Sequence, residues 1–196
     1  WTSGVRALSS GASGGGGLSF DGNNDYVNAG NNSSLDIGTN ATFEVWIKTS
    51  GTADARIISR QDAGGWQTSV LSMTTSLKAR QQWRDSSSNQ VLLDGTTNIN
   101  NGNWHHLVGV KSGNNGYLYV DGILEDSDTI SFTGNFIVTD ILAIGANNVN
   151  FSAPFNGLID EVRIYNRALS AQEVRYHYNR GGPVAQWKFD EGSGQT

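Results

Sequence analysis

Cysteine is absent from this sequence of 196 residues, which excludes disulfide bonds, thiolate metal sites and cysteine nucleophiles together. Only 16% of the residues are charged and the net charge is −5, so no basic footprint for a phosphate backbone exists and we expect no nucleic-acid partner. No run of about 18 apolar residues occurs, and we therefore expect no membrane insertion. Trp1 begins a polar stretch that does not resemble a signal peptide, so any secretion signal is expected outside this chain.

The residues that are abundant are turn formers and strand formers. The chain contains 25 glycines and many Asn, Ser and Thr residues, with only two prolines and one methionine. This mixture is typical of short strands joined by tight turns. The length fits one all-β sandwich, and no boundary between two folded domains is visible.

Hydrophobic runs bounded by Gly, Asn, Asp or Ser predict most of the secondary structure. Residues 1–17 end in four glycines and are predicted to form a Gly/Ser-rich N-terminal arm. One short helix is predicted after Ser170, an N-cap residue with Glu173 three positions later, and Gly181 and Gly182 are expected to end it. The predicted strands are 18–28, 41–49, 56–60, 67–73, 77–83, 91–93, 104–111, 117–120, 123–125, 141–145, 158–165 and 184–190.

Five motifs in order resemble the bacterial laminin-G-like, concanavalin A-like family. They are LSFDGNNDYV at 18–27, FEVWI at 43–47, WHHLV at 104–108, LYVDG at 118–122 and FNGLIDEVRIYN at 155–166. The resemblance spans most of residues 18–178 and implies an all-β, two-sheet antiparallel jelly-roll sandwich. It also implies a secreted or cell-surface protein, since such domains often occur in tandem and are linked to adhesion or carbohydrate binding.

The position of one strand along the chain differs from that in the family. The strand that usually opens the domain resembles 184–194, which here lies at the C-terminus, so we expect either a slice of a tandem array or a permuted domain. The sandwich is then 18–180, and 181–196 completes the same or a neighbouring sandwich. Val184, Trp187 and Phe189 form the predicted assembly strand, which either closes a monomer or exchanges between copies to build a filament.

Calcium is the metal that the sequence favours. Asp21, Asn23 and Asp25 present oxygen ligands at alternate positions, as Ca²⁺ prefers. The family resemblance adds Asp160, with Asp190 near it on the matching strand. The alternative is that these are turn residues bonded to their own backbone.

Other polar and aromatic residues are weighed as site candidates. His105 and His106 point to opposite faces of a strand, which favours a packed, hydrogen-bonded His106 over a shared metal site. Trp66 and Trp83 have polar or glycine neighbours and are candidates for an exposed ligand face, whereas the other strand tryptophans are expected in the core. The candidate ligand residues are therefore Trp66, Arg80, Gln82 and Trp83.

Catalysis is not expected. The paired carboxylates of a glycosidase are missing, because no Glu-x-Asp-x-x-Glu run of related glucanases is present. The segment 11–15 matches a nucleophile elbow in letters but has no strand before it or helix after it. The first hypothesis is therefore a non-catalytic extracellular adhesive module that assembles with copies of itself or adjacent tandem repeats. The second is a lectin-like module that binds glycans.

Overall fold

The computed structural model describes residues 6–7, 17–52, 54–62, 68–134, 136 and 138–179, and these residues form two antiparallel sheets. From one edge to the other, the seven-stranded sheet contains β1 (Arg6–Ala7), β2 (Leu18–Asp21), β13 (Asn156–Tyr165), β4 (Asn40–Lys48), β9 (Trp104–Ser112), β10 (Asn115–Val120) and β11 (Ile123–Thr129). The strands of the six-stranded sheet are, in order from one edge to the other, β3 (Val27–Asn28), β12 (Ala143–Ile144), β5 (Ala55–Gln61), β6 (Thr68–Met73), β7 (Ala79–Arg84) and β8 (Gln90–Asp94).

The main core lies between the inner faces of the two sheets. Alternate residues of β4, among them Phe43, Val45 and Ile47, are fully buried there. Trp83 of the opposite sheet packs edge-on against Phe43, with ring centroids 5.0 Å apart and planes at 60°. Each such side chain stabilises the fold by about 1.5 to 3 kcal/mol through burial alone. The predicted two-sheet sandwich is confirmed.

Helix α1 (Ala171–Tyr178) belongs to a second apolar cluster on the outer face of the seven-stranded sheet. Leu169 and Val174 pack there with Val108 and Val110 of β9. The predicted capping box is present, because Ser170 Oγ accepts from the N–H of residue 173 while that glutamate accepts from the N–H of Ser170. None of the helices in the described ranges has the length and apolar character needed to span a bilayer.

Some elements differ from their predicted bounds. The single strand predicted at 18–28 is two strands, β2 and β3, in different sheets. Gly22, with φ +79°, breaks the extended run between them. The connection after β9 is shorter than the predicted loop, because β9 and β10 continue until only Gly113 and Asn114 form the turn. Residues 6–7, within the predicted arm, pair with 18–19, and the predicted strand 184–190 lies outside the described residues.

Trp83→Ala tests the position of this tryptophan in the core. We expect a loss of about 3 to 5 kcal/mol in the free energy of unfolding, because the substitution leaves a large cavity beside Phe43. Gln82→Ala, one residue away on the outer face, is expected to stay within about 0.5 kcal/mol of the parent. Urea denaturation of both variants measures the difference, and equal effects would contradict the assignment of faces.

Candidate functional site

The outer face of the six-stranded sheet carries exposed polar side chains in a regular pattern. Along β7, Arg80 and Gln82 lie on this face, while Gln81 and Trp83 point into the core. Two of the predicted ligand residues therefore share one surface. The prediction that Trp83 lies on an exposed ligand face is wrong, because its side chain is 0% exposed. Its polar neighbours in sequence point to the opposite face of β7 and do not indicate where Trp83 points. Trp66 lies outside the described residues.

Strand register places Arg80 within a row that crosses four strands. Arg56 of β5 lies opposite Ser72 of β6, Ser72 opposite Arg80, and Arg80 opposite Asp94 of β8. Arg80 Nε and Nη2 donate to the two carboxylate oxygens of Asp94 at 2.6 and 2.8 Å. This fork-shaped pair fixes the guanidinium group in one orientation. The hydrogen bonds that Arg80 donates to Asp94 raise the pKa of Arg80, which therefore remains a cation.

A pocket of about 420 Å³ opens alongside this row, on the side of the turn between β6 and β7. Its walls carry charged and hydroxyl groups from β5, β7, β8 and the β6–β7 turn. The groups that line it include Asp54, Arg56, Thr74, Thr75, Ser76, Lys78, Arg80 and Asp94. We name it the Arg56–Lys78 pocket.

The segment 146–153 borders the same face on the β5 side. Asn148 fixes it, because its side chain joins Ser59 Oγ at 2.9 Å and both the N–H and the carbonyl oxygen of Gln61, at 3.0 and 2.7 Å. Phe151, in the same segment, stacks on Tyr26 with ring centroids 4.1 Å apart. The edge of the face is thus built from ordered backbone and an aromatic pair.

A second pocket, of about 470 Å³, surrounds Lys111. The ammonium group of Lys111 donates to the carbonyl oxygens of Gly38, Thr39 and Gly113 at 3.3, 2.8 and 3.1 Å. It also lies 4.7 Å from the ring centroid of Phe136. Its three donors are therefore used within the fold, and we assign it a structural role.

The predicted calcium ligands lie in the turn between β2 and β3. Asp25 Oδ2 accepts from the N–H of Asp21 at 2.9 Å, and Asp21 Oδ1 accepts from the N–H of Asn23 at 2.8 Å. These bonds match the alternative of turn residues bonded to their own backbone. Asp25, however, is 3% exposed, and its Oδ1 is buried with no hydrogen-bond partner. An unpaired buried carboxylate oxygen is costly, and a cation is a partner that would satisfy it.

Asp160 does not join this turn. Asn156 is the β13 residue opposite Asp21, so Asp160 lies four residues along the strand, roughly 13 Å away. Its Oδ1 accepts from the N–H of Glu161 at 2.8 Å. Asp190 lies outside the described residues, as do Val184, Trp187 and Phe189 of the predicted assembly strand. In the part of the chain that is described, no group of three or more His, Asp or Glu side chains is arranged to hold a metal.

A buried carboxylate, Glu44, joins three strands to helix α1. It lies on the outer face of β4 and is 0% exposed. It contacts His106 Nε2 at 3.0 Å, His177 Nδ1 at 3.1 Å and the hydroxyl of Tyr165 at 2.9 Å. Burial by itself raises the pKa of Glu44, but the hydrogen bonds from His106 and Tyr165 outweigh it and lower the pKa from its usual 4.5 to about 2.

Both strand histidines are structural. His106 is fully buried and bound to Glu44, while His105 contacts Asp121 Oδ2 at 2.8 Å from the opposite side of the strand. The packed, hydrogen-bonded His106 that the sequence predicts is present. Glu44 was missed in the sequence, although an acidic residue inside the apolar run 43–47 signals a buried partner.

Comparison with known proteins confirms the fold and the family resemblance. The family model described as the concanavalin A-like lectin/glucanases superfamily matches residues 21–175. No curated protein sequence matches the chain. Solved structures match it at low sequence identity, which shows a shared fold.

Three of these matched structures come from different kinds of protein. The binding domain of Paraclostridial mosquitocidal protein 1 is 16% identical with a TM-score of 0.74, and the match covers 91% of this chain and 46% of that one. The heptameric SAP-like pentraxin of Limulus polyphemus is 15% identical, with a TM-score of 0.64 and coverage of 82% and 80%. The Ruminococcus gnavus IT-sialidase CBM40, bound to α2,3-sialyllactose, is 17% identical, with a TM-score of 0.59 and coverage of 71% and 82%. The chain thus spans about half the length of the mosquitocidal binding domain.

Glu44→Gln tests the buried cluster through its pH dependence. A carboxyl whose pKa is lowered on folding stabilises the folded state above pH 4.5, and this contribution is lost as the pH falls toward 2. We expect the variant to be less stable than the parent by up to about 3 kcal/mol at pH 7. The difference should shrink at pH 3. Urea denaturation at both pH values measures it, exposed Glu161→Gln is the control, and a deficit that does not change with pH would contradict the cluster's role.

Proposed function

Because the chain belongs to the concanavalin A-like lectin/glucanases superfamily, we propose that it is a non-catalytic, lectin-like module that binds glycans on the outer face of its six-stranded sheet. The observation that carries this proposal is two hydrogen-bonded pairs of polar side chains on that face, Arg80 with Asp94 and Gln82 with Gln90. Guanidinium, carboxylate and amide groups together offer donors and acceptors for sugar hydroxyls. The corresponding face of the other sheet is covered by α1 around Val108 and Val110.

Several of the structural relatives are binding modules, which supports a binding role for this chain. They include binding domains of two toxins and a CBM40 bound to a sialylated sugar. Such sugars are displayed on cell surfaces and in matrices, so we place the module outside the cell. Assembly with copies or tandem repeats through 181–196 stays a prediction. Glycan binding is preferred because the polar side chains proposed for it lie on a surface that the structure describes.

We also propose that Asp25 binds Ca²⁺ in the turn between β2 and β3. The buried, unpaired Oδ1 of Asp25 supports this, and Asp21, Asn23 and backbone carbonyls of the same turn are further oxygen donors. A bound ion would neutralise the buried carboxylate and hold the turn that carries the chain from one sheet to the other. Asp160 is not part of this proposed site.

The Arg80→Ala/Gln82→Ala double variant tests the proposed glycan face. We expect the parent to bind members of a glycan array, and the double variant to bind the same glycans roughly tenfold or more weakly, because hydrogen-bond donors are lost. The matched control is Arg175→Ala/Gln172→Ala, which removes the same two side-chain types from the exposed side of α1. Isothermal titration of the best array ligand measures each affinity. A failure of the parent to bind any glycan, or a larger loss in the α1 double variant, would contradict the proposal.

Calcium binding by Asp25 is tested by the ion's effect on stability. At a Ca²⁺ concentration near 100 times the dissociation constant, we expect the parent to gain about 2.7 kcal/mol in the free energy of unfolding relative to EDTA. Asp25→Asn should lose that gain, whereas Asp160→Asn should keep it. Thermal denaturation with and without Ca²⁺ measures the shift for each protein. A gain that survives Asp25→Asn would place the ion elsewhere.

A further inference from the structure

We propose that the Arg56–Lys78 pocket is an anion subsite that takes the carboxylate or sulfate group of an acidic glycan. This inference rests on the proposed glycan-binding function and specifies its ligand class. The pocket contains three cations, Arg56, Lys78 and Arg80, against two anions, Asp54 and Asp94. The charged side chains that line the pocket thus sum to +1, whereas the whole chain carries a net charge of −5.

The three cations differ in how much of their charge is already paired. Arg80 is held by both oxygens of Asp94, which neutralises it and fixes its plane. Arg56 has a weaker partner, because its Nη1 lies 3.4 Å from Asp54. Arg80 therefore positions the wall of the pocket, whereas Arg56 retains charge that can act on a ligand.

Two cationic side chains at the pocket are incompletely paired within the described part of the fold. Arg56 Nε is buried with no hydrogen-bond partner. Lys78 has no carboxylate within ion-pair distance of its ammonium group among the residues that the structure describes. A buried donor without an acceptor is destabilising, and an anion entering the pocket would bring acceptor oxygens and negative charge to the side chains of Arg56 and Lys78.

The turn that carries Lys78 is held in an unusual conformation. Leu77 has φ +63°, a left-handed value that is rare for a bulky side chain. Hydrogen bonds close the turn, from the Thr74 N–H to the Lys78 carbonyl and from the Leu77 N–H to the Thr74 carbonyl, both at 2.9 Å. Backbone strain of this kind persists where the surrounding structure fixes it, often at ligand sites. Lys78 is thereby presented at the pocket from ordered backbone.

The size and lining of the pocket suit a sugar that carries an acid group. A volume of about 420 Å³ lies within the range of small-ligand sites. Thr74, Thr75 and Ser76 add hydroxyl groups that donate to and accept from sugar hydroxyls. Carboxylate and sulfate groups are both anions whose oxygens accept hydrogen bonds from Arg56 and Lys78. Experiment therefore has to distinguish a uronic acid ligand from a sulfated one.

The test compares three oligosaccharides of equal length, one of uronic acids, one sulfated and one neutral, by isothermal titration. The Lys78→Met/Arg56→Gln double variant should bind the acidic ligand roughly tenfold or more weakly, while neutral binding changes less than about twofold. The control is Lys48→Met/Arg175→Gln, which removes the same two charges from exposed positions away from the pocket. It should leave acidic binding nearly unchanged. The acidic ligand that binds more tightly to the parent identifies the group.

The remaining outcomes of these titrations would each overturn the anion subsite, glycan binding or both. Equal affinity of the parent for neutral and acidic glycans, or equal losses in both double variants, overturns the anion subsite but leaves glycan binding intact. Absence of binding to all three oligosaccharides and to the glycan array overturns both. If the double variant does not fold, as judged by thermal denaturation, Lys78→Met alone is measured, with rescue by Lys78→Arg. A single variant with parental affinity for the acidic ligand also overturns the subsite.

Discussion

The constraint on which the rest of the structure depends is that β4 and β9 are buried on both faces. Their inner faces form the core against the six-stranded sheet, and their outer faces lie beneath α1. A polar group on that outer face needs a buried partner, and Glu44 with His106 and His177 meets this requirement. The covered sheet serves stability, whereas Arg80 and Gln82 on the outer face of the six-stranded sheet are partly exposed.

Strand β7 separates core packing from surface hydrogen bonding within six residues. The period of two sends Trp83 to Phe43 in the core and Arg80 to Asp94 on the surface. Substitutions on the inner face of β7 should therefore change stability, and those on the outer face should change the surface, with little effect of one on the other. The same division explains why so polar a surface is compatible with the core: the guanidinium and amide groups are ordered by their neighbours, Asp94 and Gln90, and contribute little to the core itself.

The sequence predicted features that depend on local chemistry and missed those that depend on distant partners. Turn residues located the strands to within a few positions, and Ser170 with Glu173 located the helix start, because both signals act over three or four residues. The burial of Trp83 depends on which face of β7 meets the other sheet, and its polar neighbours gave the opposite indication. The row from Arg56 to Asp94 follows from the register of four strands, and the partners of Glu44 come from β9, β13 and α1. No local pattern contains that information.

The pairing of β2 with β13 has a consequence for how the protein is made. Asp21 meets Asn156 in the sheet, so the partner of β2 leaves the ribosome roughly 135 residues later. At typical rates of synthesis this is a delay on the order of ten seconds or more, during which the edge of β2 has no partner. β4 waits almost as long for its contact with β13, although β9 reaches it sooner. The nascent chain therefore exposes open strand edges until β13 has been synthesised, and that interval is when it is most open to chaperones and to mispairing with another copy.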